Sequence, residues 1–332
     1  MKQNTIQNIR PLLSALLVLG LLLLGVLLAG AMLSGCVKHE LEQRPVPPPA
    51  GETGYAEIAL DWGGDERPQS ARYLFYDQTG ALAKETTGVT DGVKCALSAG
   101  TYRLVVHNED ARQVEYRGTE NYQTAEVFAQ HTNYSDGHHP AEGVPCILEP
   151  QVVFGIGACN EFDELVIEAG KTTKATVTPG ELTQQLEFHF TVKGDKEVKS
   201  LAGVLDGIVP GIFLGSGTSN TSTSCAVEFQ AQPETKAASG NYGARLGVFS
   251  LLTTGQSPDG TNNVYVTLAL GDGQKLATQV DLTPMLREII ADNGGEIPIE
   301  IPIEINLEIT EIGLDSTVGE WTPGSGGSEE VN

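Results

Sequence analysis

The sequence predicts an all-β protein made of two consecutive antiparallel β-sandwich domains. Segments of alternating apolar and polar residues recur along the chain, with Gly, Pro, Asn and Asp at the breaks between them. The clearest segment is 297–309, in which every odd position is Ile or Leu. Only one short stretch, near residue 285, carries the pattern of a helix. This combination is typical of a β-sandwich rather than of a helical or mixed fold.

The first 35 residues have the layout of an export signal. Lys2 and Arg10 form a basic start, and residues 12–33 are uncharged and mostly Leu, Val, Ala and Gly. Two small residues directly precede Cys36, as at a signal-peptide cleavage site. The pattern resembles a bacterial lipoprotein signal, in which the cysteine is acylated, with palmitate among its chains, and becomes the first mature residue. We therefore predict residues 1–35 as signal peptide and Cys36 as the lipidation site.

A retained transmembrane helix is the alternative for this apolar run, because about 20 apolar residues can span a bilayer. Both interpretations tether the remaining chain to a membrane by its N-terminus. In the lipid interpretation each buried methylene contributes about 0.8 kcal/mol, so more than one acyl chain gives stable anchoring. Residues 36–53 follow as a tether, and Pro45 and Pro47–Pro49 make it semi-rigid.

Charge and length limit the function classes. Lys2 and Arg10 lie before Cys36, so the mature chain has 18 basic and 43 acidic residues and a net charge of −25. Such a charge disfavours nucleic acid or an anionic lipid face as a partner. The length after Cys36 suits two domains of ordinary size. We place them at 54–180 and 181–322, with a Gly- and Ser-rich tail at 323–332.

The predicted strands of the first domain are separated by turn residues. Residues 117–145 are polar and irregular, and we predict a long loop there with little strand content. The strands are predicted at 55–62, 72–76, 93–97, 101–107, 152–156, 165–168 and 171–178.

The second domain is predicted to hold most of the clean alternation and the single helix. Thr283 is a candidate N-cap, Pro284 suits the first helical position, and Asn293 begins the stop signal. The strands are predicted at 184–192, 226–231, 245–252, 264–270, 275–280 and 297–309.

Two prolines make a specific prediction about strand 297–309. Backbone donors alternate between the two edges of a strand with the same period as the side chains. Pro298 and Pro302 are four residues apart, which is two full repeats of this alternation. Both therefore remove donors from the same edge. We therefore expect this half to pair on one edge, and the residues after Pro302 to be free to pair on both.

The cysteines leave alternatives open. If Cys36 is lipidated, four cysteines remain for disulfides, and in an exported protein they allow three connectivities. Cys146 and Cys159 are the pair that we predict, because they are close in sequence across a short loop. Four buried free thiols are the alternative, and the absence of a CxxC pair disfavours zinc.

No segment matches a catalytic or metal-binding motif. His131, His138, His139 and Asp136 cluster in a polar loop without the regular spacing of ligands on a strand or helix. We interpret them as solvated loop residues, and predict no cofactor, no metal site and no enzymatic activity. Chance spacing among the 43 acidic residues explains groups of neighbouring acids such as Asp61/Asp65/Glu66 and Glu161/Asp163/Glu164.

Three tyrosines suggest a second functional hypothesis, in which their rings form an aromatic platform for glycans. Tyr122 and Tyr134 lie in the predicted long loop and Tyr116 directly precedes it, where the three could present rings to a carbohydrate. A surface carbohydrate- or peptide-binding protein is therefore the alternative to a structural role.

Several short motifs, in order, resemble the fimbrillin-like lipoproteins of Bacteroides-type bacteria. Leu97–Tyr102 is followed by Val105–Asn108, and Thr176–Pro179 precedes the second domain. The resemblance continues through the Leu201–Gly207 region and Tyr242-Gly243, then Val280–Thr283 and Gly319–Trp321. It covers most of the chain from about residue 55 to residue 321.

This resemblance implies transthyretin-like sandwiches, export to the outer membrane and cell-surface exposure. It also implies a non-enzymatic role as an anchor or accessory subunit of a fimbria-like fibre, with fimbrial subunits as partners through β-strand contacts. Shaft subunits of such fibres lose an N-terminal segment to an Arg-specific protease, whereas anchors keep their lipid. Neither Arg44 nor Arg67 is predicted to sit between two clear strands, which favours an anchor or accessory subunit.

Overall fold

The computed structural model describes most of the chain after the predicted tether. The described residues are 52–62, 67–135, 139–140, 143–156, 164–234, 240–252, 260–293 and 298–319. Within them the chain forms 23 strands and one helix, which confirms the all-β class. The predicted signal segment, Cys36 and the tail lie outside the described residues. No helix in the described part is long and apolar enough to cross a membrane.

The first half of the chain forms two facing sheets. Sheet A has the order β12-β1-β4, and sheet B has the order β13-β10-β5-β2-β3 with β11 also on β5. The strands are β1 (Thr53–Leu60), β2 (Ala71–Tyr76), β3 (Leu82–Gly88), β4 (Gly92–Ser98), β5 (Gly100–Asn108), β6 (Val114–Arg117), β7 (Glu126–Ala129), β8 (His131–Thr132), β9 (Cys146–Ile147), β10 (Phe154–Gly155), β11 (Leu165–Ile167), β12 (Thr172–Val177) and β13 (Gly180–Glu181). A first hydrophobic core, which includes Ile58, Tyr73, Phe75 and Leu104, fills the space between sheets A and B.

The second half forms a larger sheet that folds back on itself. Its order is β21-β20-β15-β17-β18-β14-β22-β23, and β8 and β9 join it through β17. The elements are β14 (Gln184–Lys193), β15 (Val198–Val209), β16 (Gly211–Phe213), β17 (Cys225–Pro233), β18 (Asn241–Val248), β19 (Ser250–Leu251), β20 (Asn263–Leu270), β21 (Lys275–Asp281), α1 (Thr283–Asp292), β22 (Glu300–Ile309) and β23 (Leu314–Val318). The two end strands meet, because the hydroxyls of Thr278 and Ser316 lie 3.0 Å apart.

Sheet B is shared between the two halves of the fold. Along β2, Tyr73 and Phe75 enter the first core, whereas Leu74 and Tyr76 enter a second core built mainly from the second half. A sheet buried on both faces needs near-continuous apolar strands, which is why 73–76 is an unbroken apolar run. The described residues belong to one compact unit. The division at 180/181 stays a prediction.

The sandwiches are mixed rather than purely antiparallel. The first strand of each half lies between an antiparallel and a parallel neighbour: β1 between β4 and β12, and β14 between β18 and β22. Periodicity reports which face of a strand is buried but not which strand lies beside it. The parallel pairs therefore could not be read from alternation alone.

The paired edges of β22 agree with the prediction from its prolines. From Glu300 to Glu308 β22 pairs in parallel with β14, whose Gln185 N–H donates to Ile299 O at 2.8 Å. Its other edge pairs with β23 only from Ile305 to Ile309, after Pro302. The odd-numbered side chains Ile301 to Leu307 are 0–1 % exposed, so one face of the strand is core as expected.

A proline placed after Pro302 is expected to disrupt this edge. Asn306 lies opposite Thr317, on the edge that faces β23. Asn306→Pro removes a ladder donor there and should lower the free energy of unfolding by about 2 kcal/mol. Pro302→Ala is the matched control and should be nearly neutral, because its edge has no ladder partner in the described chain. Urea unfolding of both variants measures the difference, and equal losses would contradict the edge assignment.

Two local predictions were wrong. Thr283 is not the N-cap of α1: the cap position is Leu282, and no side chain caps it. The Thr283 hydroxyl instead accepts a hydrogen bond from the Asn262 N–H at 3.0 Å, which ties the helix start to the residue before β20. In the predicted long loop, β7 lies between β6 and β16, and all four of its residues are buried.

Candidate functional site

The predicted modification sites fall largely outside the described residues. Cys36 and Cys159 are not among them, so lipidation and the Cys146–Cys159 disulfide stay predictions. Within the described residues Cys146 on β9 is buried and forms no disulfide, and it lies beside the buried Cys225 on β17. Burial raises the pKa of both thiols to about 11, which keeps them protonated and unreactive at neutral pH.

The three tyrosines of the glycan hypothesis do not form a platform. Tyr116 stacks on a buried histidine at 4.0 Å, Tyr122 packs edge-on against Tyr76, and Tyr134 stacks on His139. Each hydroxyl donates to a backbone carbonyl, those of Asn108, Gly215 and Val144, at 2.9, 2.5 and 2.9 Å respectively. The rings are thus used to hold loops in place, and the observation behind carbohydrate binding has a structural explanation.

Loss of the Tyr122 hydroxyl is expected to weaken the fold rather than ligand binding. Tyr122→Phe removes the bond to Gly215 O and leaves a carbonyl without its donor, which should cost about 1 kcal/mol of unfolding free energy. Chemical denaturation measures this loss. Tyr55→Phe is the control, because that ring is 44 % exposed. A glycan array on which only Tyr122→Phe loses a signal would instead revive the carbohydrate hypothesis.

The histidines are also separated. His131 packs against Phe128 at 5.3 Å between ring centroids, while His139 stacks on Tyr134 at 4.8 Å. Asp136 and His138 lie outside the described residues. In the described part of the chain no three His, Cys, Asp or Glu side chains converge as metal ligands would. Of the two acidic groups named above, only Asp61 and Glu164 are described.

Strand β1 is the element that receives the predicted tether. It is paired over most of its length on both edges, with β4 from Thr53 to Ala59 and with β12 from Tyr55 to Leu60. Ala56 and Ile58 anchor its inner face in the first core, at 0 % and 2 % exposure. A pull on the preceding segment therefore acts along a strand whose two ladders share the load.

A carboxylate on the outer face of β1 ties the three strands of sheet A together. Glu57 lies directly opposite Lys174 on β12 and Lys94 on β4. Its oxygens are 2.7 Å and 3.3 Å from the two ammonium nitrogens. Hydrogen bonds from Lys174 first and Lys94 second lower the pKa of Glu57. The two ion pairs of Glu57 add attraction between β1 and both of its neighbours, at the position where β1 would bear tension.

A cleft of about 380 Å³ lies where the two halves meet. Its carboxylates already have donors: Asp110 accepts from the Gln69 N–H and Glu149 from the Gly247 N–H, both at 2.8 Å. Arg67, at its rim, lies 3.6 Å from Asp91. The Glu149 bond joins the first half to Gly247 on β18, whereas the other two contacts lie within the first half. The cleft therefore has a structural explanation as a junction between the halves.

Similarity to known proteins gives information about function. A 165-residue stretch is 27 % identical to a Bacteroides ovatus protein named "Putative fimbrium anchoring subunit Fim4B". This stretch is 48 % of the present chain and 47 % of that protein, so the chain spans about half the length of this curated relative.

Solved structures share the fold at low identity. A "putative adhesin" from Bacteroides ovatus has a TM-score of 0.57 at 20 % identity, over 79 % of this chain and 91 % of that one. A structure titled "putative polysaccharide binding proteins" from Bacteroides thetaiotaomicron has a TM-score of 0.52 at 10 % identity, over 80 % and 95 %. The different titles on one architecture illustrate that fold alone does not decide function.

A family model matches residues 52–230, which is more than half of the chain and begins at the first described residue. The matched range contains β1, sheets A and B, and the chain up to the middle of β17. The protein therefore belongs to the family described as "Domain of unknown function (DUF5119)".

Proposed function

We propose that the protein is a non-enzymatic anchor or accessory subunit of a fimbria-like fibre, held at the outer membrane by a lipid on Cys36. The observation that carries the proposal is the similarity to a protein named as a fimbrium anchoring subunit. The similarity to structures named as adhesins agrees in fold.

The position of β1 supports an anchoring role on mechanical grounds. β1 begins one residue after the described chain starts, and the predicted tether runs directly into it. It is bonded on both edges and buried on its inner face, so force along the strand must shear two ladders together. A load-bearing connection of this kind suits a protein that joins a fibre to a lipid.

We propose that the connection between β1 and β2 remains uncleaved. The sequence predicted that Arg67 does not lie between two clear strands, and this prediction was wrong. Arg67 does lie between these two strands, since β1 ends at Leu60 and β2 begins at Ala71. Cleavage there would separate β1 and the tether from the fold. For an anchor we expect mass spectrometry of the native protein to find the mature N-terminus at lipidated Cys36. A mature N-terminus at Pro68 would contradict anchoring and indicate a shaft-type subunit.

Two cellular experiments test the role itself. Deletion of the gene should alter the length or attachment of surface fibres in electron micrographs, because the fibre loses its terminal subunit. Cys36→Ser should move the protein from the membrane fraction to the soluble fraction, whereas Cys95→Ser is the matched control and should leave it bound. Unchanged fibres after deletion would refute the fimbrial role, and a membrane-bound Cys36→Ser protein would favour the retained helix over the lipid.

A further inference from the structure

The sandwich of sheets A and B is open on one side. β3 is the last strand of sheet B and β4 is the last strand of sheet A, and a short turn bridged by Val89 and Gly92 joins them. In the described chain neither strand has a further ladder partner beyond β2 and β1 respectively. We call this opening the mouth, and define it by Lys84 and Thr86 on β3 and Val93 and Cys95 on β4.

The outer edge of β4 is able to accept another strand. Backbone bonds from Leu60 N to Asp91 O and from Ala99 N to Glu52 O show that the odd residues of β4 face β1. The N–H and C=O groups of Lys94 and Ala96 therefore point away from β1. β4 has no proline and its register with β1 is continuous, unlike the edge of β22 at Pro302. Neither a proline nor a bulge therefore blocks this edge, and its protection is limited to charge, from Lys94 on β4 and Lys84 on β3.

The inner side of the mouth leaves apolar surface uncovered. Val93 and Cys95 pack against the first core but are only partly buried, whereas Leu97, two residues further along the same face, is 4 % exposed. A strand added to β4 would place alternate side chains over these two residues. Covering apolar surface is the main source of free energy in such an association.

A lysine sets the charge of the mouth. Lys84 lies directly opposite Phe75 in the β2–β3 ladder, so its side chain leaves the sheet on the same face as Phe75, toward the first core. Its charge is close enough to the Cys95 thiol to act on it. Lys84 forms no ion pair in the part of the chain that the structure describes. An inward lysine opposes a wholly apolar strand and favours one that carries a carboxylate there.

We propose that the mouth receives an extended segment of a partner subunit, which adds to β4 as a strand, covers Val93 and Cys95 with apolar side chains and places an acidic side chain beside Lys84. This inference rests on the proposed function, because it takes a fibre subunit as the partner. Backbone hydrogen bonds to Lys94 and Ala96 supply general affinity, and the inward side chains supply selectivity. The surface is separate from β1, which the chain itself already fills.

Binding of synthetic peptides to the purified full-length protein in detergent tests the chemistry. The probe is a nine-residue peptide in which threonine alternates with valine and one valine is replaced by glutamate; its partner peptide carries lysine at that position. We expect the glutamate peptide to bind at least tenfold more tightly. Lys84→Glu should reverse this preference, and the exposed Lys199→Glu on β15 should not. Equal affinities, or no binding of the glutamate peptide, would overturn the proposal.

A second pair of variants tests the edge. Ala96→Pro removes one outward N–H that no described residue uses, and should weaken peptide binding at least tenfold without loss of the circular dichroism spectrum. Ala96→Thr keeps the N–H and should bind as the wild type does. Unchanged binding by Ala96→Pro would overturn strand addition at β4. Self-association that Ala96→Pro abolishes would identify a second copy of this chain, and not a different subunit, as the occupant.

The two proposals fail in different ways. Fibres that change on gene deletion but remain normal in an Ala96→Pro strain would leave the fimbrial role intact and refute the mouth as the contact. Fibres that are unchanged on deletion would refute the fimbrial role, whatever the peptides do.

Discussion

Phe229→Ala is expected to lower the free energy of unfolding by about 3–5 kcal/mol, the usual cost of removing a buried phenyl ring. Phe229 is 7 % exposed and its ring stacks on Phe188 with 4.8 Å between centroids. Phe190 lies 6.2 Å away on the other side of the same cluster. The three rings join β14 to β17 in the second core, so the loss of the Phe229 ring removes contacts between these two strands.

The site has limited room to relax because Gly203 lies under the ring. Gly203 is directly opposite Phe229 in the β15–β17 ladder, and a Cβ placed on it would come within 2.2 Å of the ring. Gly203→Ala should therefore be destabilising by about 1–3 kcal/mol through overpacking. In the double variant Gly203→Ala/Phe229→Ala the added methyl group enters space that the ring has left. The double variant should lose less stability than the sum of the two single losses.

Urea unfolding of the four proteins in this cycle measures the coupling. Tyr55→Ala is the control for removing an aromatic ring from a strand, and its loss should stay at about 1 kcal/mol or less because the ring is 44 % exposed. Strictly additive losses in the cycle would mean that the ring and Gly203 do not share the space described. A Phe229→Ala loss below that of Tyr55→Ala would remove the aromatic cluster as a source of stability.

The sequence predicted most of the strands because each of them is stabilised by burying one apolar face, which leaves an alternating pattern in the sequence. In the predicted strand 297–309 every odd residue is Ile or Leu, and the structure buries Ile301 to Leu307 in the core. The two ends depart from the pattern: Ile299 is 61 % exposed and precedes β22, and Ile309 is only partly buried. The prolines added pairing information, since a missing donor acts at one edge only. Pro302 therefore revealed where the second partner of β22 could begin.

Alternation failed where both faces of a strand are buried or where tertiary contacts replace local ones. β7 has four buried residues in a row, Glu126 to Ala129, and no period-two pattern marks it. Its acid is held by Arg117 at 2.7 Å and Asn220 at 2.6 Å, partners that are not recognisable beforehand. Thr283 was misassigned for a similar reason, because its hydroxyl serves Asn262 rather than the helix.

The candidate contact surfaces were only partly foreseen. The sequence placed the tether before β1 and drew attention to the edge of β22. It did not indicate the mouth, because Lys84 becomes notable only once it lies opposite Phe75 and beside β4. Which edges remain open depends on the order of strands in the sheets, and periodicity carries no information about that order.

A buried histidine should make the fold sensitive to acid. His107 is 0 % exposed on β5, stacked on Tyr116. Its Nδ1 lies 2.8 Å from the Asn108 carbonyl, and its Nε2 has no hydrogen-bond partner in the described part of the chain. Desolvation lowers the pKa of His107 to about 4, with a smaller contribution from Arg72, while the Asn108 carbonyl and Glu109 oppose the shift. The neutral ring, with its proton on Nδ1, fits this environment.

The lowered pKa fixes the direction of the effect. The imidazole of the unfolded chain takes up a proton near its ordinary value of 6.5, whereas the folded protein resists until about pH 4. Between these values the unfolded state binds more protons, so stability falls as the pH drops from about 6.5 to about 4. The shift corresponds to a loss of about 3 kcal/mol from this one group. Above pH 6.5 the group imposes no such penalty.

His107→Phe keeps a ring against Tyr116 and removes the titration. We expect the wild type to lose about 3 kcal/mol more unfolding free energy than His107→Phe between pH 7 and pH 4. Comparing each variant with itself across pH cancels the packing change and the carboxylates common to both. His131→Phe, at an exposed site, is the control and should keep the wild-type slope. Parallel curves for wild type and His107→Phe would show that His107 is protonated in the fold, and that the unpaired Nε2 reaches a partner.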